Sequence, residues 1–247
     1  MKYKRWYIAL AIALTAASTV LYLLQIWIFH RTEDTFFYML QDIAFVPIQV
    51  LLVTLILNQL LSSREKRALM KKMNMLIGTF HIEVGSELIR LCAAFNSDMT
   101  EIRTRLMVTP KWTVRDFQSA AALVKSMEIK IDSRAGDLYS LKALLEAKRS
   151  FLLSLLANPN LLEHDSFTDL LWAVFHLAEE LSARKSLEGL PRADYDHLSG
   201  DIKRAYSQLL AEWLLYMKHL KADYPYLFSL AVRMNPINPN ADPVVRG

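Results

Sequence analysis

Two clusters of histidine and acid have spacings that could do chemistry. Asp169, His176 and Glu180 follow one another at intervals of seven and four, and Asp194, His197 and Asp201 at intervals of three and four. On an α-helix such intervals return to one face, so each triplet shares a stripe. His81, with Glu83 or Glu87 close by, could join them. Helical bundles build carboxylate-bridged metal sites from acids and histidines on facing helices, using Glu-x-x-His pairs. Here only Asp194-x-x-His197 has that order, and no second pair matches it. The simpler reading is a solvated face of i,i+4 His–acid pairs. No metal or cofactor is therefore assigned, and His176, Glu180, Asp194, His197 and Asp201 stand as the candidate ligands. The sequence has no Gly-rich phosphate loop, no HExxH and no Gly-x-Ser-x-Gly. Six glycines are few for a nucleotide-binding α/β fold, and the single cysteine, Cys92, sits among apolar residues as a core thiol would. The chain is expected not to be an enzyme.

A second polar set lies inside the apolar stretch YMLQDIAFVPIQVLLVTLILNQLL, Tyr38 to Leu61. Ionisable groups in a bilayer are expensive and usually face protein or water. Asp42 and Gln49, seven apart, share a helix face; Thr54 and Asn58 follow Pro47 on roughly one face. Pro47 removes a backbone hydrogen bond and bends the helix. These residues could line a water-filled path or hold a cation. Alternatively, Asp42 accepts hydrogen bonds from hydroxyls on a neighbouring helix. A bent helix with a polar seam suits a pore and a helix interface alike, and in either case it faces other protein.

The elements that must carry these residues follow from the apolar pattern. A helix needs about 20 apolar residues to cross a hydrocarbon core of about 30 Å. Residues 6–29 carry no charge and residues 36–61 only Asp42, so two membrane spans are expected. The first run is longer than the h-region of a signal peptide and a second span follows at once, which argues against cleavage. Lys2, Lys4 and Arg5 precede the first span, and Arg64, Lys66, Arg67, Lys71 and Lys72 follow the second. The hairpin between them holds only Arg31 against Glu33 and Asp34. Basic residues collect on the cytoplasmic side, so both termini are expected there, with Trp6, Tyr7 and Trp27 in the aromatic belts. The net charge is +4 and its basic part clusters beside the membrane. That cluster suits anionic lipid headgroups better than nucleic acid. A lone cysteine agrees with a reducing compartment. Ala9, Ala13 and Ala17 make a small-xxx-small surface, with Thr15, Ser18 and Thr19 as neighbouring hydroxyls, and two spans per chain suggest a homo-oligomer.

Beyond the spans the periodicity is helical throughout. Leu69, Met73, Leu76, Phe80, Val84, Leu88, Leu91 and Phe95 form one apolar stripe on a helix continuing from the second span. Gly78, Gly85 and Cys92 form a narrow stripe of small residues, where another helix backbone could approach, or where the helix kinks. Pro110 and Thr113 introduce a helix to about Met127; Asp132 or Ser133 caps one ending before Asn158. Ser166 and Asp169 resemble a capping box opening a helix to about Lys185. Asp194 starts a helix that ends near Tyr224, with Leu198, Ile202, Leu209, Trp213, Tyr216 and Leu220 buried, and a short helix follows to about Met234. The organisation expected is all-α: a transmembrane hairpin over 1–61, a cytoplasmic helical bundle over 62–234 and a flexible, proline-rich tail over 235–247.

The stretches LLSSREKRALMKKMNMLIGTFHIEVGSEL and HLKADYPYLFSLAVRMNPINP resemble a group of prokaryotic two-span membrane proteins with a cytoplasmic helical domain. The resemblance covers most of the chain and implies no activity, but it agrees with a bacterial or archaeal cell membrane. The function expected is that of a membrane-anchored, homo-oligomeric interaction, scaffold or membrane-sensing module, with a cytoplasmic protein as a further partner. The alternative is an oligomeric ion channel lined by the second span.

Overall fold

The structure, a computed structural model, describes residues 2–161 and 164–245. The side chains of Lys2, Lys4, Arg5 and Arg67, to which topology and headgroup contact are assigned above, lie outside the described residues. The fold is all-α, as expected, and the chain divides into two units, Met1–Lys66 and Arg67–Gly247.

The first unit holds α1 (Lys2–Phe29) and most of the apolar part of α2 (Thr32–Phe80). Both are long and apolar enough to cross a membrane, and between Trp6 and Leu61 their apolar side chains are exposed, apart from half-buried Tyr22, Ile26 and Met39. Between them His30 takes φ +51°, the left-handed region that ends a helix; histidine is among the residues that tolerate it. Its N–H donates to the Ile26 carbonyl at 2.9 Å, which closes the last turn of α1. The α2 helix runs through Pro47 without interruption.

In the second unit the end of α2 buries Met73, Ile77 and Phe80. A single π-helical turn, His81–Gly85, joins it to α3 (Ser86–Ala94). The predicted apolar stripe is the buried face: Met73, Phe80, Val84, Leu88 and Phe95 are buried, with Leu69, Leu76 and Leu91 packed against them. The small-residue stripe also marks close approach, but to aromatic rings rather than a helix backbone. A Cβ on Gly78 would meet the Tyr216 ring at 3.3 Å, and one on Gly85 would lie 2.6 Å from Nδ1 of His81. His81 and Tyr216 stack with centroids 4.8 Å apart in that space.

The remaining helices are α4 (Thr100–Leu106), α5 (Val114–Ser126), α6 (Leu138–Ala147), α7 (Arg149–Leu156), α8 (Asp165–Ala183), α9 (Arg192–Asp223) and α10 (Pro225–Arg233). Thr113 caps α5 in a reciprocal box with Asp116. Two other starts differ from expectation. The helix assigned to Asp132 or Ser133 begins later, at Asp137, whose Oδ1 accepts from the Ser140 N–H at 3.0 Å. Ser133 is spent elsewhere: its hydroxyl donates to the Tyr195 carbonyl at 2.7 Å and its N–H to the Ser199 hydroxyl at 2.9 Å. This segment also breaks at Lys148 into α6 and α7. Likewise α8 opens before Ser166, because Nδ1 of His164 accepts from the Phe167 N–H at 3.3 Å.

The helix α9 is the axis of this unit. It packs against α5, α8, α10 and α3 and is buried on every side at its middle, where the six successive residues Leu209 to Leu214 are all buried. The start of the tail is also packed, unlike the loose arm predicted from its prolines. Asn235, Pro236 and Ile237 are buried, Asn235 reaches Sδ of Met107 at 3.6 Å, and Arg233 donates to the Pro243 carbonyl at 2.9 Å.

Two glycines separate backbone preference from packing. A Cβ on Gly136 would fall 2.7 Å from the ring of fully buried Phe95, whereas Gly200 of α9 has open space around it. Gly136→Ala is expected to destabilise the unit by about 1–3 kcal/mol through overpacking. Gly200→Ala should stabilise it by about 0.5–1 kcal/mol. Denaturant unfolding followed by tryptophan fluorescence checks both signs.

Candidate functional site

Helices α8 and α9 lie side by side, joined by residues 184–191, and each presents an i,i+4 His–acid pair to the other. On α8 the pair is His176 and Glu180; on α9 it is His197 and Asp201. One donor atom from each of the four lies within 4.8 Å of the others. Nε2 of His197 is 3.3 Å from Oδ2 of Asp201, and Nε2 of His176 is 3.6 Å from that oxygen. Glu180 approaches His197 at 3.6 Å through Oε2 and His176 at 3.9 Å through Oε1. The two imidazoles are about half exposed, while Asp201 is only 3% exposed.

Two arginines hold the acids. Nη1 of Arg204 donates to Oδ1 of Asp201 at 3.0 Å. Arg184 grips Asp194 with both oxygens, at 2.6 and 2.9 Å, and donates to Oε2 of Glu180 at 2.8 Å. Its guanidinium is the main reason that Glu180 and Asp194 stay below the usual carboxylate range, and the two acids in turn push its own pKa up. The structure thus brings together four of the five candidate ligands. Asp194 belongs to Arg184 instead, and Asp169, two turns from His176, stays exposed outside the group. The spacing signals for both arginines were present, Arg184 four residues after Glu180 and Arg204 three after Asp201.

The polar residues of the apolar pair of helices are arranged differently. Tyr22 of α1 donates its hydroxyl to Oδ2 of Asp42 at 3.2 Å. Asp42 therefore accepts from a hydroxyl on the neighbouring helix, one of the two roles predicted for it, although Thr15 and Thr19 turn back to their own helix carbonyls. Pro47, Gln49, Thr54 and Asn58 are exposed on α2, as are Arg64, Lys66, Lys71 and Lys72.

With this geometry in view, two family models match. One, described as MJ1433, N-terminal helical domain, covers residues 2–61; the other, Uncharacterized protein MJ1433, C-terminal helical domain, covers residues 69–233. The chain belongs to the MJ1433 family. It is 43% identical over 238 residues to Uncharacterized protein MJ1433 of Methanocaldococcus jannaschii, which spans 96% of each chain. No solved structure matches.

The remaining titratable candidates of this MJ1433-family chain are structural. Cys92 is fully buried, and burial pushes its thiol up to about 12, so it is no nucleophile at neutral pH. Glu83 pairs with Lys148 at 2.8 Å and Glu87 with Arg90, so neither joins His81. His81 is buried with both ring nitrogens unpartnered, and desolvation lowers its pKa to about 3. The unfolded chain therefore binds a proton on this residue that the folded chain refuses. Stability from His81 is complete above about pH 6.5 and falls by about 1.4 kcal/mol per pH unit as pH drops from there toward the folded value. His81→Phe, which keeps a ring against Tyr216, should flatten this slope. Unfolding free energies of the two proteins between pH 7 and pH 4.5 provide the check; parallel curves would exclude it.

Proposed function

We propose that this chain is a membrane-anchored helical module, held in the bilayer by α1 and the first part of α2 and working by binding rather than by catalysis. One observation carries the reading. The apolar residues of these two helices are exposed along their whole length, while the unit from Arg67 onward buries a core of its own. Exposed apolar surface on this scale requires a non-aqueous surround, and helices are the form in which a chain satisfies its backbone there. The lysines and arginines at residues 64–72 then meet anionic headgroups, both termini lie in the cytoplasm, and the membrane is the cell membrane. The Tyr22–Asp42 bond supports an Asp42 that ties the two helices of one chain together. With only two spans, the chain functions as a homo-oligomer whose cytoplasmic domains engage a protein partner.

Topology and assembly are separable in experiment. Cys92 is buried and unreactive, so a cysteine introduced at Glu33 or Val245, both exposed, reports alone. A membrane-impermeant maleimide added to cells should label Glu33→Cys and not Val245→Cys; the opposite pattern would sink the orientation. Native mass spectrometry of the full chain in nanodiscs should show more than one copy. A ring of about four or more would favour a pore lined by α2, and a monomer would remove the oligomer.

A further inference from the structure

We propose that His176 and Glu180 of α8, with His197 and Asp201 of α9, bind one divalent transition-metal ion of the zinc class that clamps the two helices together. A tetrahedral ion with bonds of about 2.0–2.1 Å places neighbouring ligand atoms about 3.4 Å apart. With Oε1 of Glu180 as its ligand atom, since Oε2 is held by Arg184, three of the six edges are 3.3, 3.6 and 3.9 Å. Half of the edges of such a tetrahedron are thus already near their bonded length, and small rotations at the exposed imidazoles would close the rest.

Asp201 supplies the independent observation. Its Oδ2 is buried and accepts no hydrogen bond, although Nε2 of His197 lies 3.3 Å and Nε2 of His176 3.6 Å away. A buried carboxylate oxygen without a partner costs about 1–3 kcal/mol or more. An ion lying between Oδ2 and both imidazoles removes that cost.

The donor set agrees. Two imidazoles and two carboxylates, with no thiolate, suit zinc and its divalent neighbours and offer nothing to the soft ions. Two carboxylates also balance the ion's charge. Each acid keeps one oxygen on an arginine, Asp201 on Arg204 and Glu180 on Arg184, which orients the other as outer-shell partners of metal ligands do. Four protein ligands leave no open position, the pattern of a structural ion rather than a catalytic one. Half-exposed histidines provide its way in.

The test is isothermal titration of Zn2+ into tag-free, chelator-treated full-length protein in nanodiscs. Saturation is expected at one equivalent per chain. Loss of an outer-shell partner alone weakens metal binding about 10–100-fold, so His176→Ala and His197→Ala should each weaken it by about 100-fold or more. Asp169→Asn, outside the group, should leave it unchanged. Since both histidines are half exposed, their removal spares the core, and circular dichroism verifies this. Bound Co2+ should show the intense visible absorption of a four-coordinate ion, lost in the same two variants. Absence of saturable Zn2+ binding, or binding that persists undiminished in both histidine variants, would overturn the proposal.

Discussion

The second unit depends on α9. A helix that is apolar on one stripe can lie on a surface, but α9 is buried at six successive residues, Leu209 to Leu214, which between them point to every side. Such a helix has to be enclosed, and α3, α5, α8 and α10 enclose it. The enclosure has secondary consequences. Tyr216 packs against the end of α2 and the π-helical turn, where a Cβ at position 78 would crowd its ring at 3.3 Å. Lys221 reaches back to the carbonyls of Pro110 and Trp112, securing the loop before α5, and lies over the Phe228 ring of α10.

Toward its N-terminus the same helix changes character. Leu198 and Ile202 remain buried, but Asp194, His197 and Asp201 face α8. Like charges would meet here, Glu180 against Asp194 and Asp201, were it not for Arg184 and Arg204. An arginine fork can satisfy two acids at once, and Arg184 does so across the α8–α9 junction. Lys142 adds to this by donating to the Arg184 carbonyl at 3.0 Å. The junction is thus neutralised from its sides, while its centre, at Oδ2 of Asp201, is left without a donor.

Features with a local cause were legible in the sequence: the apolar stripe from Leu69 to Phe95, the Thr113 cap, the long helix ending near Tyr224 and the shared faces of His176 with Glu180 and His197 with Asp201. What escaped was decided by tertiary partners. Ser133 has the chemistry of a cap but is used to anchor its loop to α9. His164 caps a helix, although histidine is an uncommon choice there, because Nδ1 lies where the Phe167 N–H needs an acceptor. Asp194 has the spacing of a ligand, but an arginine ten residues earlier takes it. Tyr22 carries no local signal, because its partner Asp42 lies 20 residues away on the other helix. The prolines of the tail exclude helix without excluding burial, and Asn235 and Ile237 fit against the bundle.

The α2 helix shows why a single hydrophobic scale reads two solvents. From Phe36 to Leu61 its apolar residues surround the axis, and Asp42, the lone charge, has its hydrogen bond from within the hairpin. From Leu69 to Phe80 they narrow to one stripe, with Lys71 and Lys72 exposed beside Met73 and Ile77 buried. Helical hydrogen bonding is the same on both sides of that change, so the backbone continues unbroken; only the surroundings demanded of the side chains differ. A surround that is apolar on every side can be lipid or protein. In α9 it is protein, because four neighbouring helices supply it; along the first part of α2 the apolar residues stay exposed. Two helices of one chain thus meet the same demand differently, α9 enclosed by its neighbours and the first part of α2 bare.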